Sequence, residues 1–363
     1  MAALIFALTP ETLRWSVTAA AEPSAAFFAL LAVVAATQFS RTSSTASLFW
    51  AVAAAVYAVQ FRAESLLVLG IVAAQLAYGG LVQGSVRRLL IAVTLGAGLI
   101  AVHVLHLFAV RTEGWGAAGD RMSTAFVPGN MAVNGSFYLW DHRFPMWYTA
   151  FAIAGLLAGS VAWRNRMVLA TYFGLFWGVF LFFYAGSYDY GADVRYSLMT
   201  YPPLAALAGV GMAALTARLR GGASHSLAVA TASFAVVWAF LWFAPYVRAE
   251  SDGAWGARGD VAFARDMMAT IPPNSLILTH NPAMFHLWGR NAAQMVIATP
   301  EPRLMAAWRA RYGNRIYLHW NFWCNVDDAA QRRFCADTLA QFNTSLVAER
   351  IVRDYRFALY RIE

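Results

Sequence analysis

Long apolar runs broken by short polar junctions fill the chain up to Tyr246. They fall at about 24–40, 46–61, 64–82, 88–110, 145–163, 167–186, 198–217 and 225–246. Crossing the hydrocarbon core of a bilayer takes roughly 20 apolar residues in helical form. The pattern therefore predicts a polytopic α-helical membrane protein with about eight membrane segments. The second and third runs are separated only by Arg62-Ala63-Glu64, and together they are too long for one span. They read as two helices that meet at one face of the bilayer. The opening stretch "MAALIFALTPETLRW" lacks the basic n-region and the apolar length of a signal peptide. It is also too short to span a bilayer, so the chain is expected to start partway through a membrane segment.

Beyond Tyr246 the pattern changes to short alternating elements. "RGDVAFARDMMATI" has helical spacing, "SLILTH" reads as a strand, "NPAMFHLWG" as a short helix and "QMVIAT" as a strand. "EPRLMAAWRARYG" is a helix with Pro at its start and Gly at its end. "RIYLHW" is a strand, "DDAAQRRFCADTLAQF" a helix, and "LVAERIVRDYRFALYRIE" one or two terminal strands. Such alternation implies a soluble α/β domain with a largely parallel sheet over residues 249–363, following a membrane domain over 1–248. No Gly-rich phosphate loop, internal repeat or low-complexity linker interrupts either part, so a nucleotide site is not expected.

Composition sharpens this reading. The chain is 60% hydrophobic and 13% charged, where a soluble domain carries roughly 25% charged residues. Its formal charge is +8, and every basic residue is arginine. Arg41, Arg87/Arg88, Arg164/Arg166 and Arg218/Arg220 all fall on one side of the membrane if each run crosses once. Arginine excess marks the cytoplasmic side. Residues 62–64, 111–143, 187–196 and everything after 247 then lie outside the cytoplasm. Basic residues spread over helix junctions are topology signals rather than a nucleic-acid patch, so nucleic acid is excluded as a partner and membrane lipid is implied. Cys324 and Cys335 fall in the part placed outside the cytoplasm, where a disulfide persists. A disulfide is the favoured reading. A metal pair, a reactive thiol and two buried free thiols are the alternatives, and the spacing is a poor match to a zinc site.

Ionisable residues at the mouth of a membrane bundle are costly and therefore candidates for function. Glu22 opens a helix beside Pro23, Arg62 and Glu64 sit between two helices, and "DYGADVRYSLMTYPPL" brings Asp189, Asp193, Arg195 and Tyr196 to the mouth of another. The 111–143 loop adds Glu113, Asp120, Arg121, Asp141, His142 and Arg143, which read first as solvated charges. Glu22 can equally be a helix-start acid that complements the dipole, and Arg62 with Glu64 a plain interfacial salt bridge. His103 and His106 read as packing residues, because no carboxylate accompanies them, and no metal or other cofactor is implied. The aromatics of "LFWGVFLFFYAGSYDY" suit an interface belt, with sugar stacking a secondary use. Arg62 and Arg195 together could hold the phosphate of a lipid carrier, since a guanidinium engages two phosphate oxygens at once.

The segments "AAAEPSAAFFALLAV", "AVQFRAESLLVLGIV", "FPMWYTAFAIAGLLAG" and "DVRYSLMTYPPLAALAGVGMAAL" occur in that order. Over residues 1–248 the chain resembles the bacterial branch of the GT-C glycosyltransferases, similar to dolichyl-phosphate-mannose protein mannosyltransferases and aminoarabinose transferases. The resemblance implies inverting transfer of a sugar from a polyprenyl-phosphate donor to a glycan, lipid or protein acceptor. It also implies a bacterial plasma-membrane location at the cell envelope, with a periplasmic C-terminal domain. In that family an Arg-Tyr pair followed by Pro leads a late helix, here Arg195-Tyr196 with Pro202, and an acid opens an earlier one. Glu22, Arg62 and Glu64 match positions flanking the family's site. The catalytic acid of the family's first outer loop has no counterpart here, so turnover is not expected from this chain alone. A non-catalytic polyprenyl-phosphate-binding or scaffold protein is the competing expectation. A transporter is a weaker one, because the charges sit at the mouth and not at mid-membrane.

Overall fold

A computed structural model describes residues 1–16, 20–83, 86–110, 121–141, 143–158, 161–189, 193–218, 222–326 and 329–363. The chain divides into two units, Met1–Arg248 and Ala249–Glu363. In the first unit the helices are α1 (Ala2–Leu8), α2 (Pro10–Ser16), α3 (Ala21–Thr42), α4 (Thr45–Phe61), α5 (Leu66–Gln83) and α6 (Val86–Val110). They continue as α7 (Val127–Trp140), α8 (Met146–Ala158), α9 (Trp163–Leu181), α10 (Tyr201–Ala217) and α11 (Gly222–Met267), the last running past the unit boundary.

Each of the expected apolar runs contains a helix among the described residues, but fewer than eight of these helices are of full membrane length. Five helical stretches among the described residues are long and apolar enough to cross a membrane: Ala21–Thr42, Ala63–Val82, Val86–Ala109, Val194–Ala217 and His225–Met267. Thr45–Phe61 and Met146–Ala158 are apolar but short. At 1.5 Å per residue, α8 reaches only about 20 Å, well under a hydrocarbon core of about 30 Å. The 111–143 stretch, expected to be a loop, contains the helix α7.

Small residues let these helices approach closely, as packing within a membrane requires. Ala25, Ala29, Ala32 and Ala36 of α3 meet Ala51, Ala54 and Ala58 of α4 in one buried cluster. Gly155 of α8 faces Gly211 of α10 so closely that a Cβ on Gly155 would overlap the Leu207 carbonyl oxygen. A second core is aromatic, with Phe137, Tyr138, Phe144, Tyr148, Tyr188 and Tyr201 buried together. By contrast, α6 turns Leu90, Leu95, Leu99, Val102 and Leu105 outward.

The arginines at the starts of α6 and α9 reach neighbouring segments. Arg88 donates to the Ser43 carbonyl, Arg164 to Gln75 Oε1 and Arg166 to the Leu156 carbonyl. Glu22 and Arg41 occupy opposite ends of α3.

The second unit builds a five-stranded sheet of order β2-β1-β3-β5-β4. Its elements are β1 (Leu276–Thr279), α12 (Pro282–Leu287), β2 (Asn291–Gln294), α13 (Met295–Ala298), α14 (Pro302–Tyr312), β3 (Ile316–Trp320), α15 (Ala329–Ala340), β4 (Thr344–Val352) and β5 (Tyr355–Ile362). The sheet is mixed and not largely parallel. β1 pairs in parallel with β2 and β3, whereas β5 runs antiparallel to both β3 and β4. The antiparallel half arises because β4 and β5 form a hairpin, with Arg353 at positive φ in the turn. The expected strand "QMVIAT" is also corrected. The strand ends at Gln294, and Met295–Ala298 coils into a helical turn that buries Met295. Apolar runs this short carry no period that separates strand from helix.

Candidate functional site

Arg62 stands where α4 ends in extended backbone, just before a three-residue 3-10 turn (Ala63–Ser65) that leads into α5. Its guanidinium is gripped from two sides. Nη1 donates to Glu22 Oε1 at 2.8 Å, while Nε and Nη2 reach Glu64 Oε1 at 2.6 and 2.5 Å. Glu22, in the first turn of α3, has a side chain only 2% exposed. Its Oε1 also lies 3.4 Å from Arg195 Nε. One buried carboxylate thus joins two arginines from distant parts of the chain. Two acids and two arginines sum to zero formal charge, which is how so polar a group is tolerated in a largely apolar unit.

Tyr196 completes the wall. Its ring stacks on Phe180 at 4.6 Å between centroids and 12° between planes, and the Arg62 guanidinium carbon lies 5.2 Å from the same ring's centroid. Beside it is a pocket of about 190 Å³ lined by Arg62, Glu64, Met122, Val179, Phe180, Phe183 and Tyr196. The pocket is apolar except along its Arg62–Glu64 edge.

Its walls are tied down by backbone pairing. Ser123 N–H donates to Phe182 O and Tyr184 N–H to Arg121 O, a short bridge that fixes Met122 beside Phe183. Two asparagines of α7 hold the other side. Asn130 Nδ2 lies within hydrogen-bond reach of the carbonyls of Phe180, Leu181 and Phe183, at and just past the end of α9. Asn134 donates to Gly186 O and accepts from Tyr188 N–H. Sequence reading passed over both residues, although two amides one helical turn apart in an apolar stretch were a signal.

The residues singled out from sequence divide. Glu22, Arg62, Glu64, Arg195 and Tyr196 come together. Arg195 approaches Glu22, and the Asp193 side chain lies outside what is described. Asp189 does not join the group. Its side chain is 56% exposed and pairs with Arg143 at 2.6 Å, and Arg143 also grips Asp141. Glu113, Asp120 and His142 lie outside the described residues. His103 is half-buried and His106 exposed on α6, and no carboxylate is paired with either among the described residues.

A further buried acid was not anticipated. Glu11 of α2 accepts from the Trp15 indole N–H at 2.9 Å and from the Tyr246 hydroxyl, and it lies 3.6 Å from Arg14. The face of the same Trp15 ring is 5.8 Å from the Arg195 guanidinium carbon. An acid early in a short helix reads from sequence as a dipole complement, so its burial was invisible there.

The second unit has its own polar cluster. His319 Nε2 lies 3.0 Å from Asp260 Oδ1, and Nδ1 lies 3.2 Å from Thr279 Oγ1. All three residues are buried. Asn321 accepts from Trp323 N–H through Oδ1 and donates through Nδ2 to His319 O and His280 Nδ1. The Asn321 and Gln331 amides thus face the two ring nitrogens of His280. Burial, with the neighbouring His319 adding to it, pushes the His280 pKa down to about 4. Cys324 and Cys335 are bonded to each other, with Cα atoms 5.6 Å apart. Their sulfurs and a His280 nitrogen lie within 4.8 Å of one another. That trio does not suit a metal, because the two sulfurs are joined to each other. No protein family, curated protein or solved structure matches the chain.

Proposed function

We propose that the first unit binds a polyprenyl-phosphate-linked sugar at the outer face of a bacterial plasma membrane, as a GT-C glycosyltransferase-like protein. The observation that carries this reading is the apolar pocket with an arginine on its rim, in a chain rich in membrane-length helices. A polyprenyl phosphate is a long hydrocarbon ending in an anion. Met122, Val179, Phe180 and Phe183 suit the first isoprene units, and Arg62 the phosphate. The Arg41, Arg88, Arg164 and Arg166 ends on the cytoplasmic side would put Glu22, Arg62, Arg195 and the second unit outside. More than five crossings, with α4, α8 and α9 passing through as tilted or partial segments, belongs to the same proposal.

A non-catalytic carrier-binding protein is the competing reading. What favours it is that Glu22 and Glu64, the acids nearest the pocket, are both engaged by arginine. The test is incubation of the purified full chain in lipid nanodiscs with radiolabelled polyprenyl-phosphate sugar and membrane acceptors. Retained label without transfer selects the binder, transfer selects the enzyme, and absence of both refutes the proposal. A reporter active only in the cytoplasm, fused after Glu363, should be silent.

A further inference from the structure

The two acids on Arg62 are not equivalent. Glu22 is sealed, and Arg195 also approaches it. Glu64 is 17% exposed, lines the pocket, and sits on a three-residue turn with no long helix to rebuild if its side chain swings away. It also occupies a particular edge of the guanidinium. Nε and Nη2 both point at Glu64 Oε1, and this is the forked edge that engages a carboxylate or a phosphate through two parallel N–H donors. Without Glu64 the group Glu22, Arg62 and Arg195 carries one net positive charge. With it the group is neutral.

We infer that Glu64 is an internal competitor for the carrier's phosphate: the ligand docks by displacing the Glu64 carboxylate from the Nε/Nη2 edge of Arg62, while Glu22 stays in place and holds the guanidinium. This inference rests on the carrier-phosphate reading above. It makes Glu64 a selectivity device. A neutral lipid of the same length fills the apolar part of the pocket but cannot replace a carboxylate on arginine. A phosphate can, because its anionic oxygens meet both N–H donors of that edge; the sugar-linked diester carries one negative charge and the free monoester carries more at neutral pH.

The test compares binding of a short-chain polyprenyl phosphate and the matching polyprenol to the detergent-solubilised full chain. Unaltered protein should favour the phosphate. Glu64→Gln should tighten phosphate binding by roughly tenfold, the order expected when a charge-assisted competitor is removed, and leave polyprenol binding unchanged. Arg62→Met should remove the preference for phosphate. Equal or weaker phosphate binding by Glu64→Gln, with the preference intact in unaltered protein, overturns the competitor role and leaves the carrier reading standing. No preference in either protein overturns both. If Glu64→Gln does not fold, Glu64→Asp, one methylene shorter, should give a smaller gain, and an unchanged affinity there overturns the inference. Inorganic phosphate should compete only far above the lipid's concentration, and competition at equal concentration would contradict a lipid source.

Discussion

The Arg62 cluster of the first unit and the His319 cluster of the second are made from similar parts. Each buries ionisable side chains where secondary-structure elements end, and each neutralises them with partners brought from distant sequence. The difference lies in what adjoins them. Around His319 every partner is itself buried: Asp260, Thr279 and Asn321. Arg62 has one sealed partner and one partly exposed partner, and the exposed one borders an apolar pocket. A buried charge therefore marks a binding site only when space for a ligand adjoins it and a partner can be exchanged. Without these it is part of the scaffold.

Breaking the closed cluster should cost the most stability. Asp260→Ala removes the carboxylate at His319 Nε2 and the acceptor of the Phe322 N–H. A loss of about 3 kcal/mol is expected in chemical unfolding of the second unit. A loss under about 1 kcal/mol would mean that the cluster is not structural. Removing the disulfide with Cys324→Ser and Cys335→Ser should cost slightly less, about 2–3 kcal/mol, because the bond closes a short loop of sequence separation 11.

The pH response of the second unit should follow His280. Its folded pKa, about 4, lies below the unfolded value of about 6.5, so the unfolded chain binds more protons between these values. Stability is then fully present above pH 6.5 and declines as the pH falls toward 4. The pH dependence of the melting temperature should flatten in His280→Gln, and an unchanged slope would assign it elsewhere. Breaking the open cluster should act on binding more than on folding. Arg62→Met should lower carrier affinity by tenfold or more, with melting shifted only slightly if Arg195 compensates Glu22. The smallest effect belongs to Asp189→Asn. Its pairing with Arg143 is exposed and worth under about 1 kcal/mol, so carrier binding should not change. A tenfold loss there would extend the site toward Asp141 and Arg143.

Apolar periodicity located the membrane-type helices because burial in lipid demands one continuous property. It overcounted the long ones because hydrophobicity does not report where a helix stops, as in α8 between Pro145 and Ala158. Arg62 and Glu64 were legible because charge is expensive among apolar helices, and Tyr196 because it adjoins Arg195 in a charged segment. That Glu22 joins Arg62 to Arg195 was not legible, since the contact spans residues far apart in sequence and depends on α3 packing against α4 and the 193–200 turn. Glu11, Asn130 and Asn134 escaped for the same reason: each looks like an ordinary helix residue until the fold shows what it faces. In the second unit, strand sites were readable from β-rich runs, but strand direction follows from which strands pair, and no local pattern encodes that.

The proposed role of the Arg62 pocket is to receive the phosphate end of a polyprenyl carrier. Its most direct test is photo-crosslinking of the purified full chain with a polyprenyl phosphate bearing a diazirine on its first isoprene unit, followed by peptide mapping. The expected label falls on Met122, Val179 or Phe183, is suppressed by unlabelled polyprenyl phosphate but not by polyprenol, and is lost in Arg62→Met. Label confined to the outward face of α6, or label indifferent to Arg62 and to the phosphate, would contradict the account.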